Sequence, residues 1–184
     1  MRGLVFAFFT LLTATAFADE RVEICHGYGC LVQVDVAYSD GQLGEIRRLL
    51  FSAVDAVGER EMLALAIGRM YAWAGQMTDI HNDRGGNLAD AGVPGKMDCI
   101  DHSSSTARLL RLLDARGYLR WHRVVGIEVR NWAYLFPAHY SAVIEEKEGG
   151  EAARFVVDSW FVDNGQPAVI LPLDEWKKGA GPDV

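Results

Sequence analysis

This sequence has little that would let it act through bulk charge. Lysine and arginine number 18 against 25 aspartates and glutamates, a formal net charge of −7. That balance argues against nucleic acid, or an anionic membrane, as a partner held by electrostatics. After the first residues, no apolar run is long enough to cross a hydrocarbon layer about 30 Å thick. No segment repeats and none is of low complexity, which sets solenoids and compositional linkers aside. Cysteine is scarce and odd in number, three in all. At least one thiol therefore has no partner within the chain.

The N-terminus reads as an export signal. Arg2 supplies a positive start, Gly3 to Leu12 an apolar run, and "ATAFA" a cleavage site with Ala16 and Ala18 around Phe17. An apolar N-terminal helix of a cytoplasmic protein is the plainer alternative. Cys25 lies seven positions beyond Ala18 (25 − 18), too far to be a lipid-anchoring cysteine directly after the apolar run. The expectation is a signal over 1–18 and one domain over 19–184, periplasmic or secreted, with no integral membrane segment after cleavage. A half-hydrophobic chain of this length suffices for one sizeable core.

Export places the thiols where disulfides persist. Cys25 and Cys30 lie in "CHGYGC" and can close a small loop if their Cα atoms come within about 7 Å. Haem attachment would need Cys-x-x-Cys-His, an order absent here. Zinc would need four ligands, of which Cys25, His26 and Cys30 supply three at most. A disulfide leaves Cys99 as the odd cysteine, a candidate reactive thiol.

The rest of the pattern predicts α+β. A strand-like "CLVQVDVAY" leads through a turn at "SDGQLG" to helices near Glu45–Val57 and Glu59–Gln76, marked by Ile46, Leu49, Leu50, Leu63, Ile67 and Met70 at helical spacing. From Thr78 to Gly95 the text is polar, glycine-rich and aperiodic, a long loop of the kind that tends to carry function. Asp98 is a short polar residue suited to an N-cap, and Gly117 is placed to end the helix that follows. "LRWHRVVGIEV", "HYSAVIEE", "RFVVDSWF" and "AVIL" then read as strands with turns at Glu148–Gly150 and Asp163–Gly165. Helices followed by antiparallel strands suggest helices packed on one side of a sheet.

Within that frame Cys99 opens a helix. Unpaired N–H groups and the helix dipole there favour a thiolate and can donate to a developing oxyanion. A base is offered by His139, which starts one strand, and an orienting carboxylate by Asp158, near the end of the next. If the strands are antiparallel neighbours, the two lie side by side. Taken singly, each has a plain reading: an inert core cysteine, a strand-end histidine, a turn-capping aspartate.

"DCID" at Asp98–Asp101, "HYSAVI" at His139–Ile144 and "VVDSWF" at Val156–Phe161 together resemble the transglutaminase-like branch of the papain-like thiol hydrolases. "MDCID" and "VVDSWFVDNG" are also similar to a group of secreted proteobacterial proteins. The resemblance spans Met97 to Phe161 and implies a papain-like core, a Cys99–His139–Asp158 triad, a peptide or protein substrate and no cofactor. Ile100 and Tyr140 follow the cysteine and histidine where characterised members often carry tryptophan.

Other residues carry weaker signals. His102, three positions after Cys99 on the same helical face, is the second candidate base. His122 reads as an ordinary strand residue. Asn87 or Trp73 could supply an oxyanion donor. Finally, Asp79, His81, Asp83, Gly85, Asn87 and Asp90 faintly follow a calcium-loop spacing, with His81 and Arg84 out of pattern; a solvated loop beside the cleft is the competing reading.

Overall fold

The structure is a computed structural model, and it describes residues 19–131 and 138–182. The proposed signal over 1–18 lies outside the described residues, as does Trp132. Two strands open the fold, β1 (Glu20–His26) and β2 (Val32–Tyr38), paired antiparallel with Cys25 opposite Gln33. Sequence reading expected only the second. In β1, Val22 and Ile24 alternate with Arg21 and Glu23, the half-buried period of two. Cys25 and Cys30 form a disulfide across the connecting turn, with Cα atoms 4.7 Å apart.

Helix α1 (Asp40–Phe51) begins where a turn was expected. Ser39 and Gln42 form a reciprocal capping box, so "SDGQLG" is the first turn of the helix rather than a break before it. Asp55 caps α2 (Ala56–Met77), which puts Val57 in the second helix, not the first. A short 3₁₀ turn at Asp79–Asn82 follows, and residues 83–98 are irregular. This segment is nonetheless held closely. A Cβ on Gly95 would lie 1.9 Å from the Asp79 carbonyl oxygen, and one on Gly85 2.4 Å from that of Phe161. Only glycine lets the backbones approach so far.

Helix α3 (Cys99–Ala115) starts at Asp98 and gives way at Arg116 to the left-handed Gly117. Four strands complete the chain: β3 (His122–Arg130), β4 (His139–Glu146), β5 (Arg154–Asp158) and β6 (Val169–Pro172), antiparallel in that order. A last short helix, α4 (Leu173–Lys177), follows. Among the described residues the architecture is thus α+β, with four helices and two antiparallel sheets.

One expectation needs correction. Helices α1, α2 and α3 bury Leu50, Ile67, Met70, Leu109 and Leu113 against the β1–β2 pair and against Ala142, Ile144 and Val157. The opposite face of the larger sheet is covered as well. Val143 and Val156 pack there against the fully buried Trp176 of α4. The helices therefore do not all lie on one side. Strand residues buried on both faces have to find apolar cover on both, and a five-residue helix carrying one tryptophan provides it. This second, smaller core lies on the face that carries His139 and Asp158. Among the described residues, no helix is long and apolar enough to cross a membrane.

Candidate active site

Asp98 is fixed before Cys99 can be. Its Oδ1 accepts from the amides of Ile100 and Asp101, and Asp101 returns a bond to the Asp98 amide. The same two carboxylates reach across to the disulfide loop. Asp101 accepts from Tyr28 N at 2.8 Å and Cys30 N at 2.6 Å, and Asp98 from Gly29 N at 3.0 Å. That loop is left-handed throughout: Gly27, Tyr28, Gly29 and Cys30 have φ of 85°, 70°, 65° and 59°. For Tyr28 and Cys30 this costs energy, of order 1 kcal/mol each. The turn directs successive N–H groups at the start of α3.

Cys99 is half-buried at that start. Its thiol donates to the carbonyl of Ala138, with sulfur and oxygen 3.6 Å apart. The sulfur therefore rests on the backbone that leads into His139. The His139 ring lies among Trp160, Phe161 and Trp176, with centroids at 4.8, 5.5 and 5.6 Å. Its Nε2 donates to Asp158 Oδ2 at 2.8 Å, and among the described residues its Nδ1 has no hydrogen-bond partner. Asp158 is buried and fully engaged. Its Oδ2 also accepts from Trp176 Nε1 at 3.0 Å and its Oδ1 from the Trp160 amide at 3.2 Å. The three residues singled out from the sequence thus converge on one place.

No family model matches the chain, no curated protein is significantly similar to it, and no solved structure matches it significantly. The site has to be read from its own chemistry.

Electrostatics at the thiol run against the expectation from the helix terminus. Burial pushes the Cys99 thiol up, and the negative charges of Asp98 and Asp158 push the same way. The backbone amides of Tyr140 and of Cys99 itself favour the thiolate but do not outweigh them. The helix start was expected to favour the thiolate; burial beside two carboxylates pushes the other way. At rest the sulfur carries its proton, in keeping with its bond to the Ala138 carbonyl.

Cys99 and His139 open onto a cleft of about 540 Å³ lined by Tyr28, Leu88, Ile100, Arg130, Tyr140 and Trp160 among others. The lining is mainly apolar, as substrate pockets tend to be. Burial and a bond to Asp90 push the Tyr28 hydroxyl up to about 12, so it stays neutral there.

Other candidates fall elsewhere. His102 shares a helix with Cys99, but both ring nitrogens are taken, Nδ1 by Ser159 at 2.9 Å and Nε2 by Asp83 at 2.9 Å. It is buried in a polar network continued by Thr106 and Tyr71, and it does not act as the base. Asn87 donates its amide to Asp90, and Trp73 packs against the main core. Neither lines the cleft. The calcium-loop residues are dispersed: Asp83 holds the Met97 amide and His102, while Asp90 pairs with Lys96. Residues the sequence did not flag are Trp176 and Arg130. The only available signal for Trp176 was a lone large aromatic in a short polar helix.

Proposed function

We propose that the protein is an exported thiol hydrolase or acyltransferase on a papain-like, transglutaminase-like core, acting on peptide or amide bonds. One observation carries this reading. A thiol at a helix N-terminus, a histidine with one free nitrogen and a buried carboxylate meet at the mouth of an apolar cleft. That arrangement suits nucleophilic acyl transfer.

Because the resting thiol is protonated, proton removal and attack go together. His139 Nδ1 takes the Cys99 proton as sulfur bonds to the carbonyl carbon, and the C=O π pair moves onto oxygen. The Cys99 N–H, a first-turn donor, stabilises that oxyanion in this reading. Collapse breaks the C–N bond, and the amine leaves with the proton from His139, giving a thioester. Water or a second amine then attacks the thioester carbon while His139 accepts its proton; collapse breaks the C–S bond, His139 returns the proton to sulfur, and the acid or new amide departs. Asp158 holds the imidazole orientation and stabilises its cation.

The test is activity profiling with an electrophilic peptide library, with Cys99→Ala as the control. Labelling that depends on Cys99 and falls in His139→Ala supports the proposal. Slow labelling that is equal in wild type and His139→Ala counts against it. The upward push on the thiol favours a second reading, a binding or scaffold protein without turnover; equal, slow labelling is its expected result.

A further inference from the structure

We infer that the cleft selects substrates bearing a carboxylate, and that Arg130 is the group that binds it. The inference rests on the acyl-transfer reading of Cys99 and names its substrate class. Arg130 ends β3 directly opposite His139 in the strand register. Directly opposed residues project from the same sheet face, so the guanidinium joins the aromatic group around the imidazole. It lies 4.9 Å from the Trp176 ring centroid and 5.8 Å from that of Phe161.

Its bonding is incomplete. Nη1 donates to the carbonyls of Trp176 at 2.9 Å and Ala180 at 2.8 Å. Among the described residues, Nη2 and Nε have no partner and no carboxylate forms an ion pair with the side chain. Asp158 is close enough to act on Arg130, but its oxygens already accept from His139, Trp176 and Trp160. Asp98, the other acid of the cleft, is held by three amides. The neighbouring cation Lys177 pairs with Glu128. A half-buried guanidinium stays charged; burial alone makes that charge less comfortable here. Its two remaining donor groups present a planar edge suited to a carboxylate. Leu88, Ile100, Ala138 and Trp160 make much of the remaining lining apolar, beside Asp98, His139, Tyr28 and Tyr140. The carboxylate could belong to an acidic side chain or to a chain terminus.

Two small alkylating reagents differing only in charge provide the test. Rates of Cys99 alkylation by iodoacetate and iodoacetamide are measured at neutral pH and low salt in wild type, Arg130→Gln and Arg130→Lys. The iodoacetate-to-iodoacetamide ratio is expected to be about tenfold higher in wild type than in Arg130→Gln, roughly 1.4 kcal/mol. Arg130→Lys should fall between them. Equal ratios in all three overturn the inference.

Because Arg130 also holds carbonyls at the end of α4, a measurement on wild type alone accompanies this. N-acetylglutamic acid α-amide, N-acetylalanine and N-acetylglutamine amide are tested for protection against iodoacetamide. Protection by the first identifies a side-chain carboxylate and by the second a terminal one. Equal protection by all three, or by none, overturns the inference. If instead both reagents react slowly and independently of His139, the acyl-transfer reading fails, while the ratio still reports on Arg130.

Discussion

Two histidines in this fold hold a carboxylate at the same distance. His122 bonds Glu59 and His139 bonds Asp158, each at 2.8 Å. By distance they are equivalent, though His122 uses Nδ1 and His139 Nε2. Their surroundings separate them. His122 is fully buried, its second nitrogen faces Arg60 at 3.1 Å, and Glu59 also accepts from the amides of Arg120, Trp121 and His122. That pair ties α2 to the start of β3. His139 keeps one nitrogen open at the edge of a cleft that also holds a thiol. A histidine–carboxylate bond does not mark a site; a ring nitrogen without a partner among the described residues, beside a thiol in the same cleft, sets His139 apart.

The largest expected effect that tests this contrast is on Cys99 reactivity. His139→Ala should slow acylation or alkylation at neutral pH by about a hundredfold or more, whereas His122→Ala should leave the rate of folded molecules unchanged. Rates measured at several pH values should show a rise in His139→Ala only above the ordinary cysteine range, since burial and Asp98 hold the proton on sulfur. A substantial neutral-pH rate in that variant would break the contrast.

Glu59→Gln provides the reverse case. It should lower stability by about 3 kcal/mol, measured by urea unfolding, because it breaks a buried pair. Burial pushes the Glu59 carboxyl up, but bonds from His122 and the three amides hold it below its ordinary value of 4.5. Its stabilisation is therefore full above about 4.5 and lost as pH falls towards the lower folded value. The acid branch of a stability–pH curve should be shallower in Glu59→Gln than in wild type.

Smaller effects follow. Replacing both Cys25 and Cys30 by alanine should cost about 2 kcal/mol, the value for so short a loop, and should raise amide exchange at the first turn of α3. Trp176→Phe removes one donor to Asp158 and should slow Cys99 chemistry by about tenfold, roughly the worth of one hydrogen bond to a charged group. A Trp176→Phe change in KM alone would instead assign the indole to substrate contact.

Legibility in the sequence followed physical range. The start of α3 could be read because Asp98 and Asp101 cap it within four residues. The pairing of His139 with Asp158 was readable because a short hairpin joins neighbouring strands. Local signals misled where two fitted the same letters. "SDGQLG" has turn residues, yet Ser39 and Gln42 are a helix start. What depends on contacts across the fold stayed hidden. Trp176 reaches Asp158, and Arg130 reaches Trp176 and Ala180, only after β6 returns beside β5. The thiol's upward push had the same origin, since it depends on how deeply the sulfur sits and on Asp158 from a distant strand.

The hairpin disulfide also has a consequence in time. Its two cysteines are five positions apart, and the later one precedes Cys99 by 69 (99 − 30). A chain oxidised from its N-terminus onward can therefore close this pair before the third sulfur emerges. Cys99 then enters a surrounding already emptied of eligible thiols, and order of emergence protects it from mispairing.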